Sequence, residues 1–411
     1  PGKRVFELDS IGLLRLISSL NFAAYQRAPL KVLTESPAPS GPKPPALSDL
    51  LAGRTASASP AAGFASIPQF FALAAVSPFK YTEASLIQQY FKLGKKIRAG
   101  ASAILTQMGW DSRKSEELFL YLRDAGLAAP VFGNVFYLTT ANQAARLMHD
   151  GQMPGCYVSD ELLADVRRGK AVDHIERAAA QVAMYRDLGA AGVDLGGLSD
   201  FDQLAKITAR AEEIGAGWRD RRAILDYPPR RLASGAAPFY LYGPPSGSGS
   251  PNAVPSASSA FRPAPRPRRI HQKYFDFLHR NFLTKGRCLN PAVTATAGAF
   301  PSLRRGDGVL YNLIHGAENA TKSLLFKCED CGDCFLPENF GYCTLGECEK
   351  GLANPPCGDA TPDGFCGNNV KRVCVAELIY NAAAAAIVES PNSAESVPPP
   401  ASTPGLARLA S

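Results

Sequence analysis

Eight cysteines lie between Cys328 and Cys374: Cys328, Cys331, Cys334, Cys343, Cys348, Cys357, Cys366 and Cys374. The run opens with Cys328-Glu-Asp-Cys331-Gly-Asp-Cys334, two overlapping C-x-x-C units. Such a turn brings two thiolates onto one ion, and its backbone N–H groups soften the charge of the bound sulfurs. Pro337, Gly341, Gly351, Pro355, Pro356, Gly358 and Gly364 space out the remainder. A segment of this composition buries little apolar surface, so a cross-link must stand in for a core. Three chemistries fit: a structural metal (zinc or iron–sulfur), disulfides, or free thiols. Close C-x-x-C spacing favours metal. Disulfides suit a small secreted domain, and no secretory signal is in view. Eight thiolates serve two four-ligand sites, or one cluster and one ion, and spacing alone does not divide them.

The elements ahead of the cysteines repeat a strand–helix rhythm. Residues 5–21 read as a short helix with Leu13, Leu16, Ile17 and Leu20 on one face. Phe70–Val76, Ser102–Gln107, Val131–Tyr137 and Gly192–Leu198 read as strands. Helices are expected at about 82–98, after the cap at Asp111, at 140–149, at 174–188 and at 200–214. Four such repeats mean right-handed crossovers and a parallel sheet, with chemistry expected at the C-terminal strand ends. Residues 271–388 read as a helical lead-in, with helices at 272–282 and 309–326, followed by the cysteine-rich unit. Residues 34–62, 229–270 and 389–411 are rich in Pro, Ala, Ser and Gly and read as disordered insert, linker and tail.

The 411 residues allow two to three domains. The chain is 46% hydrophobic and 20% charged, the balance of a soluble globular protein, and no apolar run approaches the length of a membrane span. The expected location is the cytoplasm. A formal charge of +7 is mild, and Arg262, Arg266, Arg268, Arg269 and Lys273 stand among prolines without a groove-reading motif. Nucleic acid is therefore not an expected partner. A start at Pro1 that runs straight into a helical pattern is expected of a fragment, and no targeting peptide can be read from it.

Residues 99–111, AGASAILTQMGWD, resemble the AGA-x-x-x-x-TQ-x-x-x-D strand of methylenetetrahydrofolate reductases. FALAAVSPF, PVFGNVF and HDGQMPGCYVSDELL resemble neighbouring segments of the same flavin-binding (β/α)8 barrel. CEDCGDCFL, CTLGECEKG and NPPCGD resemble the cysteine-rich C-terminal domain attached to some bacterial reductases of the family and found in related partner subunits. Pro355 and Asp359 stand where that domain usually has glycine, and Gln89 where the barrel has a flavin-contacting acid. The resemblance implies a partial (β/α)8 TIM barrel, the last four strands, over residues 1–228, followed by a small metal-binding domain.

By that resemblance Gln107 is a pterin-binding amide and Lys96 a flavin-contacting lysine, with Ser77 and Asn134 at strand ends where flavin or folate contacts fall. The implied cofactors are FAD and zinc or an iron–sulfur cluster, held by the eight cysteines. The implied reaction is reduction of 5,10-methylenetetrahydrofolate to 5-methyltetrahydrofolate with a reduced nicotinamide or a protein electron donor. The family's early strands, with the catalytic Glu and the Asp near the flavin, have no counterpart. The chain alone is therefore expected to be inactive and to self-associate or pair with a partner subunit. The alternative is a non-catalytic partner or electron-transfer subunit built around the cysteine domain. His149 and His174 are expected at the surface, and Cys156 as a buried small hydrophobe.

Overall fold

The computed structural model describes residues 10–26, 70–243, 308–331 and 334–389, with isolated helical positions at 277, 291 and 295. The expected insert at 34–62, most of the linker to 270 and the tail from 390 lie outside the described residues, as does most of the expected helix at 272–282.

The first helix, α1 (Ser10–Gln26), covers the described part of the expected helix at 5–21, whose first residues, 5–9, lie outside the described residues. It buries Ile11 and Leu14. The Ser18 hydroxyl donates to the Ala99 carbonyl at 2.8 Å. The Asn21 amide donates to the carbonyl of Phe70 and accepts from its N–H, at 2.9 and 2.8 Å. That side chain stands in for a strand neighbour where the chain enters the sheet.

The sheet holds β1 (Leu73–Val76), β2 (Ala103–Thr106), β3 (Val131–Phe136) and β4 (Gly192–Gly196). Their spatial order is their chain order, and all three pairings are parallel. Between them run α2 (Glu83–Arg98), α3 (Ser112–Asp124), α4 (Ala144–His149), α5 (Asp160–Arg168) and α6 (Ala171–Asp187). After β4 come α7 (Phe201–Ile214) and a 3-10 turn over Gly215–Ile224. Helix α5 is additional to the sequence-based expectation. Its signal was present, because Ser159 caps it by accepting from Leu162 N–H, and Asp160 and Glu161 fill its first turn.

Alternation along the strands separates two faces. Ala74, Val76, Ile104 and Val131 pack under Leu86, Tyr90, Leu93, Leu118 and Leu122 of α2 and α3. Val135 meets Ala179, Met184 and Tyr185 of α6, with Ile207 and Trp218 behind. A Cβ at Gly133 would lie 2.3 Å from the Tyr185 ring, so glycine is what lets that tyrosine lie on the sheet and share a hydrogen bond with Thr106 Oγ1 at 3.2 Å. The opposite face carries Leu73, Leu105, Phe132, Asn134 and Asp194 without a covering layer among the described residues. Leu73 is 50% exposed. Neither β1 nor β4 has a second strand neighbour among the described residues. This is a mixed α/β unit with a four-stranded parallel sheet, compatible with a partial barrel.

Residues 232–243 are not the loose start of a linker. Phe239 N–H donates to Tyr81 O, Lys114 Nζ donates to Phe239 O at 2.8 Å, and Glu117 accepts from the N–H groups of Leu241 and Tyr242. Composition missed this strap because its anchors are side chains of α3, far away in sequence.

The cysteine-rich unit comprises α8 (Gly308–Phe326), a short α9 (Thr344–Glu347), an antiparallel pair β5 (Phe365–Cys366) and β6 (Asn369–Val373), and α10 (Val375–Glu389). Its core is small, with Tyr342, Val375, Ile379 and Ala382. No helix among the described residues is long and apolar enough to cross a membrane.

Candidate functional site

The C-terminal strand ends gather three of the four residues expected to touch flavin or folate. Gln107 follows β2, and its N–H donates to Val76 O at 2.7 Å, so it sits beside Ser77 at the end of β1. Its Oε1 accepts from Met108 N–H at 3.2 Å. Asn134 lies in β3, with its N–H bonded to Thr106 Oγ1 at 2.9 Å. It is in register with Asp194 of β4. Alternation places Gln107, Asn134 and Asp194 on the uncovered face. Ser77 is 1% exposed, and its hydroxyl has no hydrogen-bond partner among the described residues.

Lys96 is placed differently. It lies on α2, is buried, and its Nζ donates to Ala75 O. Ala72 and Val76 turn their carbonyls toward β2, so the Ala75 carbonyl belongs to the free edge of β1. Lys96 thus covers an edge acceptor, a common means of blunting an open strand. Gln89 donates to Cys357 O at 3.0 Å, so it too is turned toward the cysteine unit.

A polar stripe on α2 recurs at helical spacing: Ser85, Gln88, Gln89, Lys92 and Lys95. It is buried beneath the cysteine unit. Gln88 donates to Ala376 O at 2.6 Å, and Lys92 Nζ to Asn354 O and Pro356 O at 2.6 and 3.2 Å. Lys95 Nζ donates to Asn354 Oδ1 at 3.1 Å. Thr82 and Ser85 donate to Glu377 Oε1, the latter at 2.6 Å, and Tyr380 donates to Glu83 at 3.1 Å. From the β1–α2 loop, Tyr81 N–H donates to Pro362 O at 3.0 Å. Lys80 Nζ donates to Gly358 O at 2.9 Å and to Ala360 O. The cysteine unit therefore rests on the C-terminal end of β1. Sequence reasoning missed Lys80, Gln88 and Lys92, whose polar spacing reads as an ordinary solvated helix face; only its partner, over 250 positions away, shows otherwise.

The eight cysteines separate into two groups. The Cys343 thiol, pushed up by burial, faces Cys328 and Cys331, and Lys322 Nζ lies 3.7 Å from Cys334 Sγ. Cys331 and Cys334 are exposed. In the second group, Cys348, Cys357, Cys366 and Cys374 line one cavity of about 20 Å³, with Lys350, Arg372 and Glu349 at its wall. That is room for about one water-sized body. Burial raises the Cys348 thiol and pushes Cys374 up to about 12, and Cys357 and Cys348 add to the latter. None of the eight forms a disulfide among the described residues. Among the described residues no three Cys, His, Asp or Glu side chains converge closely enough to form a ready-made metal centre. The second cavity is nevertheless lined by four thiols, the donor type and number of a structural zinc or iron–sulfur site.

Elsewhere, His174 is a correction: it is 4% exposed, on the face of α6 that also buries Arg177 and Gln181. Burial and Arg177 lower its pKa. Its polar sequence neighbours disguised an inward face. His149 is half-buried, and hydrogen bonds to Asp150 at 3.1 Å and Asp160 at 2.8 Å raise its pKa. Cys156 is half-buried rather than buried.

No curated protein matches the chain. Residues 309–401, behind the parallel α/β unit, match the family described as Methylene-tetrahydrofolate reductase C terminal.

Proposed function

We propose that the chain is a methylenetetrahydrofolate reductase-like flavoprotein component, in which a parallel sheet presents folate to a flavin and the docked cysteine domain holds zinc or an iron–sulfur cluster. The observation that carries this reading is the match over residues 309–401. It is supported by Gln107, Asn134 and Asp194 on one face at the strand ends. A glutamine amide both donates and accepts, as a pterin edge requires, and a site built this way discriminates strongly against ligands that leave it unpaired.

FAD, when bound, supplies hydride chemistry. The buried, unpartnered Ser77 hydroxyl is free to meet a polar ligand atom. Lys96 gives one of its three N–H donors to the Ala75 carbonyl. Gln107 and Asn134 would orient the folate, and the cysteine unit over the β1 end would keep water from that side. For the metal, Cys348, Cys357, Cys366 and Cys374 form one ligand set, and Cys328, Cys331, Cys334 and Cys343 the other. A closed barrel takes eight strands, and the parallel sheet among the described residues holds four. In a second reading the chain serves a partner subunit or electron donor, and turnover requires that partner.

The test is to incubate residues 1–411 with FAD and folate and follow flavin absorbance and folate binding. Retained flavin, with folate affinity about tenfold weaker in Gln107→Ala, is expected for one buried hydrogen bond left unpaired. A chain that binds metal but neither flavin nor folate would leave the partner-subunit reading.

A further inference from the structure

The two cysteine groups differ in what surrounds them. The first belongs wholly to the cysteine unit: Ser323 Oγ donates to Cys328 O at 3.1 Å, and Asn319 donates to Asp330 at 3.1 Å. The second lines its cavity with residues of the cysteine unit alone, but the turn at Cys357 is held from outside by the α/β unit. Lys80 is 0% exposed. Its two acceptors, Gly358 O and Ala360 O, lie in the turn that Cys357 opens, where Ala360 N–H donates to Cys357 O. Lys92 fixes the approach to that turn through Asn354 O and Pro356 O, and Gln89 holds Cys357 O itself. A Cβ on Gly155, from the α4–α5 loop, would lie 2.6 Å from Gly358 O, so a second segment of the α/β unit presses on the same turn.

The charges are arranged to match. A divalent ion on four thiolates carries a net charge of about −2. Lys350 pairs with Asp359 at the cavity, and Lys80 lies behind it. Burial brings the Lys80 ammonium down to about 8, against the opposing pull of Cys357, Cys374, Asp359 and Cys156. A cation is costly in such a place unless a negative group repays it. The carbonyls alone do so in part, and an ion held by thiolates would do so more fully.

We propose, resting on the metal reading above, that the second cysteine group is a metal site whose Cys357 turn is held in place by the α/β unit, with Lys80 as its positioning residue. Metal binding at Cys348, Cys357, Cys366 and Cys374 requires the docked α/β unit, whereas the first group binds on its own. Loading releases the thiol protons to solvent and consumes no oxidant or reductant.

The experiment uses the full chain and Co(II), whose thiolate charge-transfer absorbance reports each site. The wild type is expected to load both groups. Lys80→Met should weaken the second site by about tenfold or more, the usual effect of removing a group that orients ligands, and leave the first unchanged. Cys331→Ser should do the reverse. Unchanged titration in Lys80→Met would overturn the proposal. No Co(II) binding by the wild type would instead sink the metal reading itself. A measurement on the wild type covers the case of a misfolded variant. Both tryptophans, Trp110 and Trp218, are buried in the α/β unit. On denaturant titration, Co(II) leaves the second group at the midpoint of the tryptophan fluorescence change. Loss of that signal at a clearly different midpoint would contradict the proposal.

Discussion

The two cysteine groups come from one short stretch of chain and one residue type, yet they occupy opposite environments. Cys331 and Cys334 face solvent at the end of α8, whose Val309, Leu313 and Leu324 are themselves exposed. Cys348, Cys357, Cys366 and Cys374 line one cavity, and α2 and Lys80 hold the turn at Cys357 beside it. The difference shows that ligand chemistry is written locally and protection is supplied from afar. A C-x-x-C turn needs only its own backbone to aim two sulfurs, whereas a buried thiol cluster needs a second layer of structure.

The largest expected contrast is in reactivity. The thiolate is the reactive species. With its pKa near 12, Cys374 holds so little thiolate at pH 8 that metal-free alkylation should be about a thousandfold slower than at an ordinary exposed thiol. Timed alkylation read by peptide mass spectrometry checks the order: Cys331 and Cys334 first, Cys374 last. Equal rates would erase the distinction between the groups.

Next in size is the dependence on the α/β core. Leu118→Ala removes a side chain 0% exposed under α3 and should cost about 2–5 kcal/mol in a denaturant titration. It should also speed alkylation of Cys357 and Cys374 without changing Cys331, because only the former lean on that unit.

A pH effect of intermediate size comes from Asp226. Burial and the nearby Asp111 charge raise it to about 6 from an ordinary 3.8. The folded state then holds this proton more tightly than the unfolded chain, so the group's contribution is fully present below about 4 and is lost as pH rises through about 6. Asp226→Asn keeps an acceptor for Ser112 N–H, which Asp226 now serves at 2.6 Å. It should raise the melting temperature at pH 7 and leave it unchanged at pH 4. A rise at pH 4 as large as at pH 7 would assign the gain to packing.

The smallest effects separate docked from exposed polar contacts. Tyr380→Phe loses the hydrogen bond to Glu83 and should cost about 0.5–1.5 kcal/mol. Glu318→Ala, which breaks the solvent-facing pair with Lys322, should cost about 0–1 kcal/mol.

Much of the scaffold was legible in advance. The strands showed because Phe70–Val76 and Val131–Tyr137 are apolar runs of strand length, and the helix after β2 showed through its cap Asp111, whose carboxylate accepts from Arg113 and Lys114 N–H. The cysteine ligand set was legible by type but not by partition, since only the fold brings Cys374 to Cys357 and Cys348. Lys96 was chosen by resemblance for a phosphate, and its position opposite the free edge of β1 cannot be read without the sheet order. His174 and the α2 stripe failed for the same reason: a polar side chain reads as solvated unless its distant partner is known.

The central claim is that this chain carries two thiolate metal sites, one exposed and one held in place by the α/β unit. Elemental analysis of the purified full chain, paired with a count of thiols that react in the native state, tests it most directly. The account predicts zinc or iron bound in amounts that fill both groups, with Cys348, Cys357, Cys366 and Cys374 protected until the α/β unit unfolds. A metal-free folded chain in which all eight of these thiols react freely would contradict it.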